Sequence, residues 1–251
     1  MHATHPSWRR IPFERQQEMR KRTYTPLSRD EDVVPEPDTP APMIHNIVCT
    51  AQLQSSSMPL PLPLLNALLP GSFYDKRRFA AMTVRFAHPH CTVLLFSSGK
   101  LVVTGGRSWY DCVLCCLSMA NTLRRCLSGH EFWMTACDIQ NIVAHVEIPL
   151  DGARLNLPAM YSRLNLFCTY QKSMFPGLIY RPPSSPIVLL CFDSGKVVIT
   201  GGRTIEDVVQ GWARLWSTVR TFVTPPPPHP IPPLAPSQCS ATSPALSSAA
   251  G

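Results

Sequence analysis

The chain has 251 residues, with 23 Lys and Arg against 16 Asp and Glu, a net charge of +7 and a pI near 9.0. Hydrophobic residues make up 45% and charged residues 16%, which excludes a wholly disordered protein and allows one or two domains with real cores. No apolar run reaches the roughly 18 residues of a membrane span and no secretory pattern is present, so the expectation is a soluble intracellular protein without a membrane partner, its ten cysteines reduced. The surplus of base points to an anionic partner, nucleic acid before membrane.

In chain order, residues 1–43 are basic (Arg9, Arg10, Arg15, Arg20, Lys21, Arg22), then acidic and proline-bearing, without an apolar period. They read as a disordered arm. Residues 224–251 open on a polyproline run and continue in Ser and Ala, a composition that cannot build a packed core. Between them the sequence repeats itself. Ile44-His-Asn-Ile-Val recurs as Ile139-Gln-Asn-Ile-Val at an offset of 95, and the stretch Phe79 to Ser108 recurs from Phe175 at an offset of 96, with twelve of thirty positions identical. The folded part is therefore a tandem duplication, 44–138 and 139–223.

Each copy carries the same elements. A strand around Asn46 or Asn141 is followed by a leucine-rich connector and then by strands on either side of a Ser-Gly-Lys turn, a hairpin signature. After Gly-Gly-Arg each copy closes with a helix, Trp109 to Leu127 and Ile205 to Phe222. Strands followed by one long helix, twice, predict an α+β fold with antiparallel sheet. The helices can cover only one sheet face.

Alternate residues of a strand point to opposite faces. One set contains Asn46, Val48, Phe79, Arg85, Leu94, Phe96, Val102 and Thr104, with mates Asn141, Val143, Phe175, Arg181, Leu190, Phe192, Val198 and Thr200. The other contains Ile47, Met82, Val93, Leu95 and Val103, with mates Ile142, Leu178, Leu189, Cys191 and Ile199. Both sets are apolar. The second has helices to pack on, so the first must meet a partner or a ligand. Cations border it: Arg77, Arg78, Arg85, Lys100, Arg107, Arg181, Lys196 and Arg203. An apolar, amide-bearing strip rimmed by cations suits the DNA minor groove, whose walls are phosphates and whose A·T floor offers acceptors alone.

The motifs Phe-Pro-Gly-Leu-Ile-Tyr-Arg181, Leu-Leu-Phe-Ser-Ser-Gly-Lys100 and Val-Thr-Gly-Gly-Arg107 resemble the TATA-binding protein family over both repeats and neither tail. The resemblance implies a saddle: a curved ten-stranded antiparallel sheet with helices on its convex back and DNA beneath, in a family that is itself a standard case of minor-groove kinking. It implies intercalating pairs Phe79 with Phe96 and Phe175 with Phe192, each pair 17 residues apart. It places Asn46, Val48, Leu94, Val102, Thr104, Asn141, Val143, Leu190, Val198 and Thr200 on the groove floor, and Arg78, Arg85, Lys100, Arg107, Arg181, Lys196 and Arg203 on phosphates. A nuclear initiation factor follows, bound to A·T-rich double-stranded DNA and to other initiation factors, without a cofactor, a metal or an enzymatic reaction.

Departures from the family's pattern fall on partner surfaces. Gln171 and Ser173 stand where the family carries the acidic pair that receives transcription factor IIB, and His45 stands where a glutamine is usual. The first-repeat helix is nearly uncharged up to Arg124 where the family's is basic. Part of Trp109, Tyr110, Val113, Leu117 and Ala120 is accordingly expected to remain available on the convex back, with Val113 and Leu117 as a surface for a non-standard accessory complex, as in a divergent TATA-binding protein or related factor. Cys112, Cys115, Cys116 and Cys126 include a C-x-x-C, but four thiols on one helix do not converge as a zinc knuckle does. No histidine has an Asp or Cys partner at catalytic spacing. The alternative is a saddle that serves as a protein scaffold with weak or no DNA binding of its own.

Overall fold

Glycine-centred turns and two capped helices organise each half. In the computed structural model, which describes residues 35–224 apart from Ser57 and Ser184, the order is β1 (Met43–Gln54), α1 (Leu62–Leu68), β2 (Ala81–Phe86), β3 (Cys91–Phe96), β4 (Lys100–Gly106) and α2 (Trp109–Cys126). There follow β5 (Trp133–Glu147), β6 (Arg154–Leu155), α3 (Leu157–Leu164), β7 (Cys168–Thr169), β8 (Leu178–Tyr180), β9 (Val188–Cys191), β10 (Lys196–Gly202), α4 (Ile205–Val219) and β11 (Val223–Thr224). The main sheet runs β2-β3-β4-β1-β5-β10-β9-β8-β7, antiparallel throughout, and β6 pairs with β11 apart from it. The repeats join where β1 meets β5, with Ile47 opposite Ile142.

The expected ten strands are nine. In the second repeat β7 pairs with β8 through Thr169 and Ile179. At the corresponding place in the first repeat only an isolated bridge forms, between Phe73 and Thr83. The leucine-rich connectors hold short helices, each with proline in its first turn, where the missing N–H would be unbonded in any case.

Both long helices begin with a capping box. Ser108 Oγ accepts from Asp111 N while Asp111 Oδ2 accepts from Ser108 N, and Thr204 with Asp207 repeats the arrangement. The apolar stripe of α2, Cys112, Cys115, Cys116, Met119, Ala120 and Leu123, is buried against β1, β3, β4 and β5; α4 buries Val208, Trp212, Ala213, Trp216 and Val219, packing on β10 and β5. All ten residues expected on the helix-covered face, from Ile47 to Ile199, are buried. Of the five residues of which part is expected on the exposed back, Ala120 is buried, because it lies in the middle of that stripe.

The arm expected to run free to residue 43 is anchored over its last stretch. Trp212 Nε1 donates to Pro40 O at 2.8 Å, Trp216 Nε1 donates to Asp38 Oδ1 at 3.3 Å, and Arg220 pairs with Glu36 and Asp38. Residues 36–40 thus lie along α4, and β1 starts at Met43. The remaining arm, 1–34, and the proline-rich tail from 225 lie outside the described residues. All nine described cysteines are free thiols. Burial pushes the Cys191 thiol up to about 12, and hydrogen bonds to Cys112 and Cys137 together with burial raise that of Cys49, so these are packing groups held neutral. Among the described residues no group of three or more His, Cys, Asp or Glu is arranged to hold a metal ion.

Candidate nucleic-acid interface

The sheet face away from α2 and α4 carries two matching rows. Thr83, Leu94, Val102 and Thr50 are successive cross-strand neighbours in the first repeat; Ile179, Leu190, Val198 and His145 are their counterparts in the second. At the centre Asn46 stands opposite Val143 and Val48 opposite Asn141. These side chains are half-buried, whereas their neighbours on the other face are buried, so the strand parity places the ten floor residues together as one strip.

The amides of that strip are oriented by backbone. Asn46 Oδ1 accepts from Gly105 N at 2.7 Å and from Thr104 Oγ1 at 3.2 Å; Asn141 Oδ1 accepts from Gly201 N at 2.8 Å and from Thr200 Oγ1 at 3.2 Å. A backbone N–H can only donate, so it fixes which end of each amide faces it; Nδ2 of Asn141 also donates to Thr200 Oγ1 at 3.1 Å, which leaves its second N–H for another acceptor. Gly201 has φ +99°, and a Cβ there would stand 2.3 Å from Pro186 O. The first glycine of each Thr-Gly-Gly motif is therefore the residue that aims an asparagine, a role the motif alone did not disclose.

At the two ends of the strip sit the phenylalanine pairs. Phe79 and Phe96 have centroids 6.0 Å apart at 66°, and Phe175 and Phe192 are 5.7 Å apart at 68°, both edge to face. Phe79 is 49% exposed, while Phe175 is half-buried. Gly177 explains the closer second pair: a Cβ on it would lie 2.7 Å from Phe175 and 3.0 Å from Phe192, and Ala81 occupies the matching place in the first repeat.

Arg78, Arg85, Lys100, Arg107, Arg181, Lys196 and Arg203 are all exposed. Of these only Arg78 is in an ion pair among the described residues, with Asp75 at 3.5 Å, and at 79% side-chain exposure that pair is screened and weak. Gln171 and Ser173 are exposed in the loop before Phe175. Val113 and Leu117 are half-buried on α2, and Val113 packs partly on the core; Tyr110, 63% exposed, is the more open neighbour.

The model of the family described as transcription factor TFIID, or TATA-binding protein, matches residues 41–126 and 136–222, one segment per repeat. The TATA-box-binding protein of Emericella nidulans is 35% identical over 181 residues, which span 72% of this chain and 65% of that protein. The Caenorhabditis elegans TATA-box-binding protein is 33% identical over 185 residues, 74% of this chain and 52% of that one, so the chain spans only part of the length of these relatives. Among solved structures, Methanococcus jannaschii TBP superposes with a TM-score of 0.62 at 26% identity, over 72% of this chain and 99% of that one. With both halves of the sheet matched by one family model and relatives a third identical across them, the chain belongs to the TATA-binding protein family.

Proposed function

We propose that the uncovered face seats the minor groove of A·T-rich duplex DNA and kinks it at both ends, and that the chain acts in the nucleus as an initiation factor on which further factors assemble. Family membership supports the general reading, because the family is one of DNA-binding transcription factors and not of enzymes. The observation that carries the detail is the strip itself. Two backbone-aimed amides lie between two edge-to-face phenylalanine pairs, with exposed cations around them. Each Nδ2 can donate to adenine N3 or thymine O2, while the apolar floor leaves the guanine amino group without an acceptor. A gel-shift comparison of A·T-rich with G·C-rich duplex tests it: absent binding would favour a protein scaffold, and equal binding would show that the floor does not select A·T.

Phosphate contact by Arg85 and Arg181 has its own signature. Replacing both by Ala should weaken binding to every duplex alike and reduce the slope of log K against log salt by about 2, one per phosphate released. Titrations at several salt concentrations check this; an unchanged slope would show that neither arginine reaches DNA.

The α2 surface is proposed to recruit an accessory complex differing from the family's usual partners. Without the basic residues expected there, long-range steering is lost and contact becomes mainly apolar, less sensitive to salt. Tyr110→Lys with Leu117→Arg, which avoids the core-packed Val113, should deplete that complex in affinity purification while DNA binding persists. Identical partner lists would show that this surface recruits nothing.

A further inference from the structure

The two halves of the uncovered face differ in titratable groups at two symmetry-related pairs of positions, His45 with Gln140 and His145 with Thr50. Where β1 and β5 pair, each strand carries an extra residue: His45 between Ile44 and Asn46, and Gln140 between Ile139 and Asn141. These bulges are equivalent under the repeat, and so are the residues they reach. In the first-repeat half Gln140 Nε2 donates to Thr50 Oγ1 at 2.8 Å. In the second-repeat half the His45 ring stands edge-on to His145, centroids 5.9 Å apart. An amide and a hydroxyl, which carry no charge at any ordinary pH, are replaced by two imidazoles, each able to take up a proton.

Both imidazoles lie on the uncovered face. His145 is half-buried in register with Val198 and Met43, at the inner end of the row that continues to Leu190 and Ile179, and His45 is exposed. The charged groups beside them are few. Glu147, two residues on along β5, is exposed and in register with Lys196 of β10; β1 contributes only the uncharged Met43 and Asn46. Pro40 and Ala41 of the anchored arm border the same shallow hollow as Met43, His145 and Glu147. A minor groove laid over the pair would favour the charged form, because its negative potential draws in charged His as it does Arg and Lys.

We propose that His45 and His145 form a proton-binding subsite of the DNA interface, so that the second-repeat half grips the groove more tightly as pH falls while the first-repeat half does not respond. The proposal rests on reading this face as DNA-binding. If protonation is favoured in the complex relative to the free protein, binding takes up protons and affinity rises as pH falls through the imidazole range; above that range the pair adds nothing.

The test compares the full chain with a His45→Gln, His145→Thr variant, which copies the opposite half of the same floor. Binding to one A·T-rich duplex is measured at fixed salt. From about pH 8 to about pH 6 the unaltered chain should gain about tenfold more affinity than the variant, the response to roughly half a proton taken up per unit of pH. The other six histidines, His2, His5, His88, His90, His130 and His229, are present in both and cancel. His145→Lys, with a permanent cation in the same place, should bind tightly at both values. Equal pH dependence in the unaltered chain and the double variant would overturn the subsite and leave the DNA reading intact, whereas no binding by the unaltered chain at either pH would overturn the DNA reading itself.

Discussion

With Phe175 and Phe192 both changed to Ala, A·T-rich duplex loses the kink at one end and about half of its total bend, and affinity falls by about a hundredfold. Opening a base step loses a few kcal/mol of stacking, and the wedge of apolar rings is what stabilises the opened step. Alanine side chains are too short to fill it, so the DNA relaxes at that end and wraps less of the sheet. The fold should survive, because the two rings pack edge to face on each other at 5.7 Å and are half-buried, so the protein forfeits a ring contact of about 0.5–1.5 kcal/mol and no more than part of their burial. The matching change at Phe79 and Phe96 removes the other kink. Energy transfer between dyes on the duplex ends reads the bend directly, and unchanged transfer in either double variant would show that the pairs do not intercalate.

That expectation was available from the chain alone because duplication supplied its own control. A single phenylalanine in a strand is a core residue by default. Two pairs at equal spacing, sharing parity with two asparagines and opposite in parity to ten buried residues, are harder to place in a core. Parity held where the strands pair regularly, as in β2 with β3 and β3 with β4. It does not run through the bulges at His45 and Gln140, where the extra residue flips the phase of the alternation, so that Ile44 and Ile47, and Ile139 and Ile142, all pack toward the core although three apart.

Other misses have local causes. The tenth strand shrinks to one bridge at Phe73, where no alternating run marks a strand in the first place. The segment 36–40 is polar and proline-bearing, so it resembles the rest of the arm in composition. Its order comes from partners 170 and more residues away in sequence, the indole N–H groups of Trp212 and Trp216 and the guanidinium of Arg220. Likewise Gly105 and Gly201 look like hairpin-end glycines, and only the placed backbone shows their N–H groups aimed at the asparagines.

Those glycine bonds make the central amides separable into two functions, which leads to the second large effect: Asn46→Asp with Asn141→Asp abolishes A·T-rich binding while melting temperature stays close to that of the unaltered chain. Each Oδ1 accepts from a glycine N–H and a threonine hydroxyl, and an aspartate oxygen can do the same, so the strand ends at Gly105 and Gly201 remain anchored. What changes is the outward atom. Nδ2, which at Asn141 donates to Thr200 Oγ1 and on the proposed reading has an N–H left for adenine N3 or thymine O2, becomes a second carboxylate oxygen facing acceptors between two lines of phosphate. Each lost contact of this kind is worth about 1–3 kcal/mol, so two amount to roughly a thousandfold in affinity near the middle of that range, before repulsion is added. Alanine at the same positions is a poorer probe, since it leaves the glycine N–H groups without their acceptor and mixes a folding cost into the result. Gel shifts beside thermal melts settle the matter: retained DNA binding by a well-folded double variant would mean that the amides serve the sheet alone and that the groove is read elsewhere.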